Sequence, residues 1–177
     1  GTKDGVARYN GRTWTIIDLT PIAGSNFVQA ICAGDDGSMW FGTNGGGLVR
    51  LLEGRWSTIS MQQGLPGNDV TSLAEATGPD GTRVLWIGTS AGAASLGSDG
   101  VVLPSLVEHA GRRINGLYAA NLRGEVWAMI DGVGAARFAS GVWRVFDESD
   151  GLPRSFHTSA IDPGALGEPR RLVIGAG

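Results

Sequence analysis

Apolar residues in this chain fall in short segments that are separated by polar turns rich in glycine. The clearest segment is a four-residue phrase that occurs four times, the last copy being decayed: Trp40-Phe41-Gly42-Thr43, Trp86-Ile87-Gly88-Thr89, Trp127-Ala128-Met129-Ile130 and Val173-Ile174-Gly175-Ala176. The copies begin 46, 41 and 46 residues apart, and Gly1-Thr2 stands 41 residues before Gly42-Thr43. Self-similarity at such a period predicts a repeat array.

Three further segments repeat with the phrase. A glycine opens the segment that follows it, as in Gly5-Val6-Ala7-Arg8, Gly47-Leu48-Val49-Arg50, Gly92-Ala93-Ala94-Ser95 and Gly134-Ala135-Ala136-Arg137. Nine residues beyond each glycine stands Trp14, Trp56, Val101 or Trp143, so the third unit has lost its second tryptophan. Upstream of the phrase lies another apolar segment, at residues 27–31, 70–73, 114–118 and 156–161. Each unit therefore holds four short segments.

These segments are typical of strands, because they are short, rich in β-branched and aromatic residues, and bounded by turns such as Asp36-Gly37. The 30 glycines suit tight hairpins and would each cost about 1 kcal/mol inside a helix. Four antiparallel strands in a unit of about 40–45 residues describe a blade of a β-propeller. The predicted fold class is all-β, with about four blade equivalents. The segment from Phe27 to Cys32 is apolar on both faces, so we expect neighbouring sheets to cover both.

The order of these features resembles the two-component regulator propeller repeat. Gly64-Leu65-Pro66 precedes an apolar strand, an Asp-Gly turn, the phrase, a Gly-Gly-Leu step and a final tryptophan, and the most complete unit spans residues 27–56. The chain departs from the pattern at Val101 in the third unit, at Ala128-Met129-Ile130 in the fourth and at Val173 in the last. The resemblance implies a sensor propeller of a bacterial signalling receptor, periplasmic or otherwise extracytoplasmic, that reports ligand occupancy to a histidine kinase or a diguanylate cyclase.

The repeat divides the chain into a partial blade at 1–20, blades at 26–60, 68–107 and 113–147, and a partial blade at 155–177. The two partial blades could complete one another in a closed four-bladed ring. The alternative, which we favour, is a fragment of a larger propeller, because proteins that resemble this family carry longer arrays. The remaining blades and an output domain of the parent chain are then expected partners.

The tryptophans are expected to be structural. Trp40, Trp86 and Trp127 occupy equivalent strand positions, where large rings would wedge between blades, and Gly42 and Gly88 follow two of them. We expect the same of the outer set, which is Trp14, Trp56 and Trp143. An aromatic platform for sugars is the alternative, but a ligand site need not recur once per blade.

Composition excludes several classes. A net charge of −3 and a pI near 5.3, without a basic cluster, argue against nucleic-acid binding. No apolar run approaches the roughly 18 residues that a membrane span needs. The single cysteine, Cys32, excludes an internal disulfide and is expected to be buried.

The sequence offers no catalytic or metal-binding motif. His109 and His157 are 48 residues apart, and no cysteine or histidine cluster accompanies them. The glycine-rich run from Asn44 to Gly47 is predicted to be a turn. The carboxylate pairs Asp35-Asp36 and Asp147-Glu148 would point to opposite faces if they lay on strands. We therefore predict no enzyme activity, no cofactor and no metal.

Topology places a candidate ligand site on one face of the propeller. In an up-and-down blade, the connections between blades and those between the second and third strands emerge together, and polar loops on a rigid scaffold often bind ligands. The loop residues Arg112, Arg113, Arg154 and His157 predict a locally positive surface there that suits an anionic or hydroxyl-rich ligand, such as an oligosaccharide. The candidate residues are Asn44, Asn68, Asp69, His109, Arg112, Arg113, Arg154 and His157.

The sequence thus predicts a non-enzymatic, ligand-sensing propeller segment. A scaffold for protein association, including a homodimer, is the alternative, and a propeller lyase or hydrolase is less favoured. Variable loops and ordinary solvated surface look alike in a sequence, so the identity of a ligand stays open.

Overall fold

A computed structural model describes residues 1–78, 80–120 and 124–152, and the backbone of residues 158–162 and 171–175. The chain is an all-β propeller array, as predicted. Its described strands form three four-stranded antiparallel sheets and two two-stranded sheets, and within each sheet the strands pair in chain order. The first complete sheet consists of β3 (Val28–Ala33), β4 (Met39–Thr43), β5 (Leu48–Leu52) and β6 (Arg55–Ile59).

The other two complete sheets repeat this topology. The second consists of β7 (Val70–Thr77), β8 (Arg83–Thr89), β9 (Gly92–Gly97) and β10 (Val102–Ser105). The third consists of β11 (Ile114–Ala119), β12 (Val126–Ile130), β13 (Gly134–Ala139) and β14 (Val142–Phe146).

The two-stranded sheets lie at the two ends of the array. The first pairs β1 (Val6–Tyr9) with β2 (Trp14–Ile17), and the last pairs β15 (Thr158–Asp162) with β16 (Arg171–Gly175). Short helices occupy the connections between sheets: α1 at Thr20–Ala23 and 3-10 turns at Met61–Gln63, Val107–His109 and Glu148–Asp150.

The innermost strands β3, β7 and β11 are neighbours, and the core lies between successive sheets. Each inner strand has a register irregularity just after its first residue, which leaves one residue outside the pairing: Gln29, Thr71 and Asn115. Such bulges increase the local twist of a strand. The Thr71 hydroxyl donates to the carbonyl of Ile114, so one bulged residue ties two sheets together.

The glycine of the repeated phrase is required by this packing. A Cβ at Gly42 would lie 2.6 Å from Val70 Cγ1, and one at Gly88 would lie 2.8 Å from Ile114 Cγ2, both on the next inner strand. The threonine that follows has its own function. The hydroxyls of Thr43 and Thr89 are buried and donate at 2.8 Å to the carbonyls of glycines 47 and 92, which open the next strand. The phrase thus combines close sheet contact with closure of a hairpin.

The inner tryptophans pack as predicted in two of three cases. Trp40 and Trp86 are buried between sheets, whereas Trp127 is half-buried and stacks on Phe146 of its own sheet at 5.6 Å.

The outer tryptophans pack toward the preceding unit. Trp143 of the third sheet meets Trp86 of the second edge-on at 5.3 Å, and its indole N–H donates to Ser105 at 2.9 Å. Trp56 contacts Phe41 of its own sheet at 5.8 Å and packs on the core cluster that includes Val6 and Leu19 of the first unit. The prediction for Trp14 is wrong, because this side chain is 68% exposed. It belongs to the first unit, where no described residue covers it from the preceding side.

The prediction that Val101 replaces the missing tryptophan is wrong by one residue. The pairs Leu51–Trp56 and Phe138–Trp143 correspond in register to Leu96–Val102. The turn that joins β9 to β10 is longer than the two-residue turns that join the equivalent strands, which shifts the position. Val101 itself is exposed, and Val102 packs against the core between the first two sheets.

The expectation that strand β3 is covered on both faces is also wrong. Cys32 is only half-buried, and it packs on the core toward the second sheet. Ile31 points the other way and is 40% exposed. Only the two outer strands β1 and β2 lie on that side among the described residues, so the inner part of β3 has no sheet against it.

Candidate functional site

The predicted ligand face is built on a backbone contact that recurs in every complete sheet. The N–H groups of Asn44, Ser90 and Asp131 donate to the carbonyls of the residues that precede the inner strands, at 2.9, 2.9 and 2.8 Å. The acceptors are Phe27, Asp69 and Arg113. Three of the predicted site residues, Asn44, Asp69 and Arg113, therefore take part in this contact, at the rim where each inner strand begins.

Asn68 has a structural function on this face. Its side-chain oxygen accepts the N–H of Met61 at 2.9 Å, and its carbonyl accepts the N–H of Gly47 at 2.9 Å. The side-chain oxygen of Asn26 likewise accepts the N–H of Leu19 in the preceding loop, at 2.9 Å. This pair of asparagines, each two residues before an inner strand, is a repeat feature that the sequence analysis missed, and its signal was the shared spacing.

Asp69 is held by its neighbour on the adjacent hairpin. Its carbonyl accepts the N–H of Ser90 at 2.9 Å, and its carboxylate accepts the Ser90 hydroxyl at 3.4 Å. The side chain is half-buried and adjoins Gly45, which follows Asn44. The structure thus brings Asn44 and Asp69 to one part of the rim.

His109, Arg112 and Arg113 lie in the loop that precedes the third sheet. A backbone bond from Gly111 to Ala91, at 2.9 Å, anchors this loop to the second sheet. Both arginines are exposed, and neither forms an ion pair with a residue that the structure describes. Arg154 and His157 lie outside the described residues.

The expectation of a positive surface does not hold for the described loops. Besides Asp69, these loops carry the carboxylates of Asp18, Glu108, Asp131, Asp147, Glu148 and Asp150. Hydrogen bonds from Thr20 lower the pKa of Asp18, and hydrogen bonds from Ser149 lower that of Asp147, so both are ionised at neutral pH. The two arginines therefore stand in a carboxylate-rich setting, which suits a hydroxyl-rich ligand better than an anion.

Neither predicted carboxylate pair lies on a strand. Asp36 sits in the turn before β4 and accepts the N–H of Ser38 at 2.9 Å, and Asp147 caps a 3-10 turn. In the part of the chain that the structure describes, no group of three or more histidine, cysteine, aspartate or glutamate side chains is placed to hold a metal. No described helix has the length and apolarity that crossing a membrane requires.

The structure adds a cation–aromatic stack that the sequence analysis missed. The guanidinium of Arg50 lies 4.9 Å from the ring centre of Trp40 and pairs with Asp36 at 2.6 Å. Hydrogen bonds from Ser38, followed by the contact with Arg50, lower the pKa of Asp36 to about 2. Arg137 repeats the arrangement on Trp127 in the third sheet.

The second sheet lacks this stack. Its residue opposite Trp86 is Ser95, and the rings of Phe138 and Trp143 cover Trp86 instead. The signal in the sequence was the arginine three residues after the strand-opening glycine, which this unit replaces with serine.

Comparisons with known proteins agree with this geometry. The family model described as "Two component regulator propeller" matches residues 23–45, which confirms the resemblance seen in the sequence. No curated protein matches the chain significantly.

Three solved structures share the fold. The extracellular domain of a protein described as a hybrid two-component system from B. thetaiotaomicron is 19% identical with a TM-score of 0.67, and the alignment covers 99% of this chain and 26% of that one. A second structure of the extracellular domain of that same protein, described there as a one-component system, is 19% identical with a TM-score of 0.65, over 92% of this chain and 22% of that one.

A protein described as a gluconolactonase is 17% identical with a TM-score of 0.54, over 98% of this chain and 65% of that one. The chain thus spans about a quarter of the length of the first two structures. At these identities the likeness establishes the fold.

Proposed function

We propose that this chain, which carries the two-component regulator propeller repeat, is the ligand-sensing part of an extracytoplasmic bacterial signalling receptor. Its support is the repeat match together with the fold shared with an extracellular domain that is described in one structure as part of a hybrid two-component system and in another as part of a one-component system. The chain binds and does not catalyse. A histidine kinase or a diguanylate cyclase elsewhere in the receptor reads the binding event.

The observation that carries the proposal is the difference between side chains that recur from unit to unit and side chains that differ between units. Repeated side chains such as Trp86, Gly88 and Thr89 are committed to packing and hairpin closure. Arg112 and Arg113 stand at positions where the other units carry different residues, such as Asn68 and Asp69. Both arginines are exposed and have no ion pair among the described residues. Exposed charged side chains on a rigid loop face are suited to recognition.

The proposed site joins Asn44, His109 and the two arginines across the rim. Arginine N–H groups donate to hydroxyl oxygens, and the carboxylates of Asp69 and Asp131 accept from hydroxyl groups. A ligand with many hydroxyls, such as an oligosaccharide, satisfies both sets at once.

Hydrogen–deuterium exchange with and without maltotriose or trigalacturonate tests the site. Protection confined to residues 106–115 and to the neighbouring hairpins supports the proposal. The double variant Arg112→Gln/Arg113→Gln should lose that protection, whereas Arg144→Gln, which removes an exposed cation from strand β14, should keep it. If neither sugar protects this face, or if the double variant binds as before, the proposed site is wrong.

Two other functions make different predictions. A scaffold for association, including a homodimer, predicts a concentration-dependent mass by analytical ultracentrifugation without any added ligand. A hydrolase, suggested by the name of one solved structure of the same fold, predicts acid release from glucono-δ-lactone in a pH-stat. Either result would replace the sensing proposal.

A further inference from the structure

A cleft of about 330 Å³ lies between the first and second complete sheets, away from the loop face described above. Trp40 and Ile59 line it from the first sheet, and Leu85 and Leu96 line it from the second. This volume is at the lower end of the roughly 300–1,000 Å³ of small-molecule sites, so one small ligand would fill it.

The cleft lies beside an interface at which the repeat has lost two rings. At the next interface, the rings of Phe138 and Trp143 lie 4.7 and 5.3 Å from that of Trp86. The register places Leu96 and Val102 at the same two positions beside the first sheet. Two aromatic rings are thus replaced by two smaller aliphatic side chains. Of the two, Leu96 lines the cleft, and the smaller side chain at that position leaves room beside Trp40.

Polar groups of both charges line the same cleft. The guanidinium of Arg50 uses one nitrogen for Asp36, while its Nε–H is buried and has no acceptor among the described residues. Arg83 and Glu75 also line the cleft. The register pairs Thr77 with Arg83 and Glu75 with Leu85, which puts all four on one face of the sheet.

Arg83 and Glu75 are not paired with each other or with another charged side chain that the structure describes. Glu75 accepts one hydrogen bond, from the N–H of Asp35 at 3.0 Å, and retains further acceptor capacity.

We propose that this cleft binds a small zwitterion with an apolar side chain, namely an aliphatic α-amino acid. Its carboxylate accepts from Arg83, its ammonium group donates to Glu75, and its side chain packs on Leu85 and Leu96. The balanced charges of the cleft disfavour a simple anion or cation. The proposal is independent of the ligand on the loop face.

Isothermal titration calorimetry with three probes tests the charge requirement. L-leucine carries both charges, isovalerate lacks the ammonium group, and isoamylamine lacks the carboxylate. We expect saturable binding of L-leucine and at least about tenfold weaker binding of each half-ligand, since a charged hydrogen bond contributes about 1.5–3 kcal/mol. No heat with L-leucine at millimolar concentration overturns the proposal, and so does binding of glucose in its place.

Three variants locate the site. Arg83→Gln and Glu75→Gln should each weaken L-leucine binding about tenfold or more, and the second keeps an acceptor for Asp35. Leu96→Phe restores a ring where the third sheet has Phe138 and should abolish binding while the protein stays folded by circular dichroism. Arg8→Gln, which removes the equivalent of Arg50 in the first unit, is the control. Unchanged affinity in Leu96→Phe shows that the ligand lies elsewhere.

Discussion

Replacing Trp86 with alanine tests whether the tryptophans serve packing. Trp86 is 5% exposed and lies between the second and third sheets, where it meets the rings of Phe138 and Trp143. Its loss would leave a cavity that two rigid sheets cannot easily close. We therefore expect Trp86→Ala to be among the most destabilising substitutions in the chain.

The magnitude follows from the buried area. A buried tryptophan removes roughly 200 Å² from water, which at about 25 cal/mol per Å² corresponds to about 5 kcal/mol. The alanine that remains recovers part of this, whereas the two lost aromatic contacts add about 0.5–1.5 kcal/mol each. The expected loss in the free energy of unfolding is about 3–5 kcal/mol, in the range measured for such truncations.

Trp14 and Trp127 provide internal standards. Trp14 is 68% exposed, so Trp14→Ala should cost about 1 kcal/mol or less. Trp127 is half-buried, and Trp127→Ala should fall between the two. Urea unfolding followed by far-ultraviolet circular dichroism gives the three values, provided that the slope against denaturant is unchanged.

The order of the three losses in unfolding free energy tests the packing argument. Equal costs at Trp86 and Trp14 would refute the packing argument, because burial is what separates them. Should Trp86→Ala fail to fold, Trp86→Phe keeps most of the ring and should still unfold at lower urea concentration than the parent. A Trp86→Phe protein as stable as the parent would count against the argument in the same way.

The remaining predictions concern one charge and one glycine. The folded-state pKa of Asp36 is about 2, below the roughly 3.9 of an unfolded aspartate, so its contribution to stability is present above about pH 4 and lost as the pH falls toward 2. Asp36→Asn should flatten the fall in stability over that window in acid unfolding curves, and an unchanged curve would contradict the assignment. Gly42→Ala should cost about 1–3 kcal/mol, because the new methyl group would meet Val70 at 2.6 Å. A melting temperature equal to that of the parent would show that the inner strands can move apart.

The sequence predicted the strands and their order because each unit repeats the same local chemistry. It did not predict turn length: the longer turn before β10 moved the tryptophan-equivalent position from Val101 to Val102. Nor could it predict the burial of Trp14 or Ile31, since burial depends on which strands of a neighbouring unit are present to cover a side chain. The spacing of residues along the chain identifies the repeat unit, whereas the burial of a side chain depends on the contacts between units.

The function of the loop residues was also not predictable from residue type alone. Asn68 was predicted to bind a ligand because it is polar and lies in a loop, yet its amide holds that loop in place. A sequence does not distinguish a polar side chain that satisfies backbone groups from one that is free to bind. The spacing shared by Asn26 and Asn68 was the available sign of the structural function, because a residue that recurs with the repeat serves the repeat.

This reasoning also indicates where binding sites should arise in a repeat array. Identical interfaces would be filled alike, and a ligand site at one of them would then recur at all of them. A single site requires that one interface differ from the rest. Here the difference is that Leu96 stands where the next interface has Phe138, which leaves a cleft beside Trp40 while Trp86 is covered by two rings. Filling that position with phenylalanine should therefore raise the stability of the interface and remove its ligand site together, since both effects follow from the same volume.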